Sequence, residues 1–167
     1  MPKGFFKVPK ATNEPARSYA PGTEDKKKLK EAIEDLKSQE IDIPMVIGGK
    51  EIRTDNKISY HPPHDHNHVL GYYHKGDEHH VQQAIDAALE AKNDWMQMPW
   101  HERAAIFLKA AELLTGPYRY KINAAAMLGT SKSAHQAEIE TVCELADFLR
   151  FGVEFMSTIY EEQAYSP

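Results

Sequence analysis

Residues 131–163 read as one long helix, and no other stretch constrains the chain as strongly. With Val142 as origin and about 100° per residue, Ile139, Leu145, Ala146, Leu149, Val153, Phe155, Met156, Ile159 and Tyr160 fall in one broad arc. Such an arc predicts a face buried against another layer. Glu140, Glu144, Asp147, Arg150, Glu154 and Glu161 gather opposite, where Asp147 with Arg150 and Arg150 with Glu154 have the spacing of solvated ion pairs. Glu138 alone projects from near the centre of the apolar arc, so the fold must give that carboxylate a partner or a route to water.

A chain of 167 residues suffices for one domain with a real core, and its apolar fraction of 41% suits a globular protein. No run approaches the ~20 apolar residues of a membrane span, and residues 1–10 lack the apolar centre of a secretory signal. The net charge of −5, with both signs interspersed, leaves no electrostatic footprint for nucleic acid. The single cysteine, Cys143, forms no internal disulfide and fits a reducing compartment, so a cytoplasmic location is expected. It sits at mid-helix without a nearby His or glycine-rich turn, which predicts a packed residue and not a nucleophile.

Residues 1–22 hold four prolines and no period, the pattern of an extended arm that orders only by lying on something else. Thr23 then caps a helix to about Gln39, with Leu29, Ala32, Ile33 and Leu36 as its stripe and Lys26, Lys27 and Lys28 on its wet face. Short strands follow. Residues 45–47 and 50–53 flank Gly48-Gly49 as a hairpin, 58–61 continue extended, Pro62-Pro63 interrupt, and 69–74 form another strand. Asp77 caps a helix to about Trp95 with Val81, Ala84, Ile85, Ala88 and Leu89 inward. Pro99 opens the next, burying Ile106, Phe107, Ala110 and Leu114 and stopping at Gly116; Pro117 starts another, which Gly129 ends. Ser133 and Gln136 have capping-box spacing for the long helix. The arrangement is α+β: an arm, a helix, a small group of strands, then about four helices, without βαβ alternation.

Little of this carries chemistry. His61, His64, His66 and His68 with Asp65 form the most metal-like cluster, but their spacing matches no strong zinc pattern and the prolines describe a polar turn, so no metal ligand is assigned. His79 and His80 occupy a first helical turn, where a cation is disfavoured, and read as neutral surface residues. The sequence contains no P-loop, GxGxxG or Gly-x-Ser-x-Gly pattern. On periodicity alone, Glu138 is expected to face a helix N-terminus or to reach water.

The run GTSKSAHQAEIETVCELADFLRFGVEFM at 129–156, with FLKAAELLTGP at 107–117, resembles the N-terminal part of the glutamate-γ-semialdehyde (1-pyrroline-5-carboxylate) dehydrogenases within the aldehyde dehydrogenase superfamily. The likeness takes in Asn13, Glu14, Pro15, residues 44–48, Asn67, His68, residues 84–91 and Trp95, nearly the whole chain. It departs at Thr130, Ser131 and Lys132, where the family has a glycine-lysine approach, and in the histidine-rich turn.

The resemblance implies an α+β fragment of an α/β aldehyde dehydrogenase fold, with 23–167 as the N-terminal part of the NAD-binding domain, lacking its main sheet. It implies NAD⁺-dependent oxidation of glutamate γ-semialdehyde to glutamate in proline breakdown, through a cysteine thiolate, an activating glutamate and an oxyanion asparagine. By that resemblance all three, and the NAD site, lie beyond Pro167, so no catalytic or cofactor residue is assigned here and the chain alone is expected to be inactive. Glu138 matches the family's glutamate near the substrate α-amino group, and a carboxylate on an apolar face is a sensible reader of an ammonium. Implied partners are a small aldehyde and, through the unpaired apolar arc, further copies of the chain. The competing readings are a noncatalytic helical module that binds a partner through that arc and, third, a His-rich metal binder.

Overall fold

A computed structural model describes residues 7–162; positions 1–6 of the expected arm and 163–167 lie outside the described residues. Helix α1 spans Glu24–Lys37 and begins as expected, with the Thr23 side chain accepting from the Lys26 amide. Leu29 and Leu36 of its stripe are buried and pack with Leu70, Ala124 and Leu128. Five short strands follow: β1 Ile41–Ile43, β2 Met45–Ile47, β3 Lys50–Ile52, β4 Lys57–Tyr60 and β5 Gly71–His74. Gly48 and Gly49 take φ of 56° and 75°, the pair of positive angles of a tight hairpin turn, and close β2 on β3. Strand β1, ahead of Pro44, was not expected; it pairs parallel to β5, and β4 pairs antiparallel to it on the other side. A Cβ at Gly71 would collide with the Ile41 carbonyl, so glycine is what lets β1 approach.

The helices are α2 Glu78–Gln97, α3 Trp100–Thr115, α4 Arg119–Thr130, α5 Ala134–Ala137 and α6 Glu144–Glu161. Between α5 and α6 the chain runs as a π-helical turn, Glu138–Cys143, so the expected single long helix is continuous in direction but not in pitch. Ser133 and Gln136 form the capping box that starts it.

Several local expectations are corrected. Helix α4 starts two residues after Pro117 and runs through Gly129; its stop is Ser131, at φ 57°, a left-handed cap normally left to glycine. His80 is no idle surface residue: its Nδ1 lies 2.6 Å from Asp77 Oδ1 and accepts from the Asp77 amide, closing a capping box on α2. Burial is narrower than the periodicity implied. On α6 only Ala146 and Val153 are buried, while Phe155 is 60% and Ile159 68% exposed and Leu145 and Tyr160 also face outward. On α3, Ile106 and Phe107 are exposed and the buried positions are Ala104, Ala111 and Leu114. No residue of α2 is buried, and Val81, Ile85 and Leu89 form an open apolar stripe. Periodicity identifies a face fit for burial, not the layer that covers it.

Candidate functional site

The π-helical turn explains why Glu138 is unusual. An extra residue per turn brings positions five apart onto one side, so Glu138 and Cys143, which a regular helix would separate by about 140°, are both buried, with Cys143 Sγ 3.8 Å from Glu138 Oε1. Glu138 is 0% exposed. Helix α4, packed against this turn, offers it Arg119 and Asn123, one helical turn apart. Arg119 donates to Glu138 Oε1 from Nε at 3.1 Å and from Nη2, and Asn123 Nδ2 donates to Oε2 at 2.7 Å. The arm supplies the other donors: the Arg17 amide to Oε1 at 2.8 Å and the Tyr19 hydroxyl to Oε2 at 2.6 Å.

A second carboxylate completes the charge balance. Glu14 accepts from Arg119 Nη1 at 2.6 Å and from Arg150 Nη1 at 2.8 Å, and Arg119 Nη2 also donates to the Pro15 carbonyl at 3.0 Å. Two acids and two guanidiniums thus neutralise each other. Burial works to raise the Glu138 pKa, but the Arg119 guanidinium, the Tyr19 hydroxyl, the Arg17 amide and the Asn123 amide hold it below the usual carboxylate range. Glu14 is likewise lowered, its burial outweighed by Arg119 and Arg150. Burial and the neighbouring Glu138 charge raise the Tyr19 phenol, which keeps its proton and donates.

Three of the charges expected to be solvated on the last helix, Asp147, Arg150 and Glu154, instead hold the arm, which corrects that ion-pair reading. Glu154 accepts from the Ala11 amide at 2.9 Å, Asp147 from the Asn13 side chain and the Glu14 amide at 2.7 Å each, and Arg150 is taken by Glu14. The described part of the arm lies on these helices, and Tyr19 is its apolar anchor, packed on the α1–α4 core.

Cys143 is 5% exposed and its thiol is pushed up to about 11 by burial and by Glu138, a packed cysteine as expected. Alkylation at pH 8 is expected to be slow in the native chain and complete in denaturant; rapid native labelling would contradict the packing. The histidines of the 61–68 turn do not converge. His61 Nδ1 lies 2.9 Å from the His68 carbonyl, and His64 Nδ1 2.7 Å from Ser131 Oγ. Among the described residues no group of three or more His, Cys, Asp or Glu is placed to hold a metal ion. The described sheets include no strand, glycine-rich loop and helix unit on which a dinucleotide would sit.

Sequence reasoning singled out Glu138 but missed Tyr19, Arg119 and Asn123. The i, i+4 pair Arg119 and Asn123 was the available signal, two polar residues on the face that α4 buries. Tyr19 and Glu14 carried none, because their partners, Glu138 for Tyr19 and Arg119 for Glu14, lie more than a hundred residues away in the chain.

The arm strapped across helices, the small mixed sheet and the buried carboxylate at a helix junction belong to a chain whose residues 50–166 match the aldehyde dehydrogenase family. The chain belongs to the aldehyde dehydrogenase family. It is 47% identical over 159 residues to the Δ¹-pyrroline-5-carboxylate dehydrogenase of Agaricus bisporus, covering 95% of this chain and 29% of that protein. The mitochondrial human enzyme of the same name is 36% identical over 94% of this chain and 28% of its own length. The solved structure of the Mycobacterium tuberculosis Δ-pyrroline-5-carboxylate dehydrogenase bound with NAD is 44% identical and superposes with a TM-score of 0.94, covering 98% of this chain and 31% of that one. The chain therefore spans about three-tenths of the length of these relatives and matches their N-terminal part.

Proposed function

We propose that this chain is the N-terminal segment of an NAD-dependent dehydrogenase that oxidises glutamate γ-semialdehyde to glutamate. The observation that carries the reading is similarity over nearly the entire chain to relatives that bear that activity in their names. Residues 23–167 form the N-terminal part of the NAD-binding domain, and the nucleophile, the activating glutamate and the dinucleotide site belong to the remainder of the enzyme. A Glu138 carboxylate reads the substrate ammonium, as the family resemblance implies. Its complete burial favours a second reading, in which Glu138 only ties the arm to the helices.

The open apolar faces of α2 and α6 require a cover, supplied by the rest of the enzyme or, for the 167-residue chain alone, by further copies of itself. No described helix is long and apolar enough to cross a membrane; a cytoplasmic location is proposed on the single cysteine, while several eukaryotic relatives are mitochondrial by name.

The test is spectrophotometric. The full-length enzyme is expected to reduce NAD⁺ with the semialdehyde, and the isolated chain to give no reduction at any concentration. A full-length enzyme that prefers unrelated aldehydes would reject the substrate assignment, and reduction by pure chain would reject the division of labour.

A further inference from the structure

Residues 7–19 of the arm make no backbone–backbone hydrogen bond among the described residues, yet a regular pattern places them. The amides that reach α6 and the π-helical turn before it come from every third residue: Ala11 to Glu154 at 2.9 Å, Glu14 to Asp147 at 2.7 Å and Arg17 to Glu138 at 2.8 Å. Burial keeps the same interval. Val8, Ala11 and Glu14 are half-buried, while the remaining residues from 7 to 18 are exposed. Pro9 and Pro15, which have no N–H to give, fall on a different strip of the arm.

Three residues per turn without internal hydrogen bonds is the signature of a polyproline II helix. A β-strand would repeat every second residue, and a 3₁₀-helix would bond to itself. The lengths also agree. One polyproline II turn advances about 9 Å, and the stretch from Asp147 to Glu154 advances about 10.5 Å along an α-helix, so the arm runs antiparallel to α6 and offers one amide per two helical turns. The longer interval from Glu138 to Asp147 contains the π-helical turn, whose extra residue adds to the count without adding a turn. Exposed Lys10, Thr12 and Ala16 contribute nothing to this pattern, whereas the side chains of Asn13, Glu14 and Tyr19 add the contacts that select this segment.

We infer that Glu138, Asp147 and Glu154 form a docking ladder for a polyproline II segment, read through every third backbone amide, and that residues 7–19 are the segment it holds. A slip of one residue withdraws all three amides together, so the ladder fixes the register of the arm across the Glu138 cluster. The inference needs no substrate role for Glu138.

Hydrogen exchange resolved to single residues tests the ladder on the unaltered full-length protein. The Ala11, Glu14 and Arg17 amides are expected to exchange about tenfold more slowly than those of Thr12, Asn13 and Ala16, after correction for intrinsic rates. Uniform rates, or slow exchange at alternate residues, would overturn the proposal.

A pair of prolines separates backbone reading from the loss of a side chain. Thr12→Pro removes an amide that donates to none of the three acids and favours the backbone angles of the arm, so exchange at Glu14 is expected to stay unchanged or slow further. Ala11→Pro removes the donor to Glu154, and exchange at Glu14 is expected to rise about threefold. Equal effects of the two substitutions would show that the ladder does not read amides.

Discussion

Replacing Arg119 by Met in the full-length enzyme is expected to cost about 3–5 kcal/mol of stability, the usual consequence of removing one partner from a buried ion pair. The side chain is 1% exposed and spends all three nitrogens on Glu138, Glu14 and the Pro15 carbonyl. Its loss strands Glu138, at 0% side-chain exposure, and Glu14, at 12%. A surface pair provides the scale: Lys109 and Glu112 are 2.9 Å apart but 61% and 70% exposed, and Lys109→Ala is expected to change stability by less than about 0.5 kcal/mol. Denaturant midpoints of the two variants make the comparison, and equal effects would refute a buried network.

The same variant changes the acid limb. Glu138 and Glu14 have folded pKa values below their ordinary 4.5, so their contribution is fully present above that value and is lost as pH falls through the lowered one. Without the guanidinium, burial acts on Glu138 with less opposition and raises its pKa, so acid unfolding of Arg119→Met is expected to begin at higher pH than in the parent.

Glu138→Gln is expected to lower kcat/KM for glutamate γ-semialdehyde by about 10–100-fold, from the ~1.5–3 kcal/mol of a charged hydrogen bond, and to spare 5-oxopentanoate, an aldehyde which lacks only the amino group. The ratio of the two losses is what matters. Glutamine also weakens the link to Arg119, so any loss of folded enzyme lowers both rates by one factor and cancels in the ratio, whereas a missing contact to the ammonium does not cancel. Equal losses would leave Glu138 as the residue that fastens the arm.

Much of the frame was readable because its signals are local. Thr23, Asp77 and the Ser133–Gln136 box sit within three residues of the amides they cap, and Gly48-Gly49 needs only its own φ angles to turn the hairpin. Strand β1 escaped because its reason for existing, the parallel register of Ile41 on Gly71, lies thirty residues away. The apolar stripes of α2 and α6 were found, but a stripe carries no information on which of its residues this segment covers, and Phe155 and Ile159 stay open.

Composition and periodicity alone determined that a carboxylate stands on an apolar face at residue 138 and that Cys143 beside it is packing, because both follow from helical geometry and the energetics of burial. Tertiary structure decided what the carboxylate does with its charge. The π-helical turn rotates Glu138 and Cys143 onto one side, α4 brings Arg119, and an arm without an apolar period in its sequence lays Glu14, Arg17 and Tyr19 across the junction. A helical wheel assumes a constant pitch and sees one segment at a time, so neither the added residue in the turn nor partners separated by more than a hundred positions could register in it.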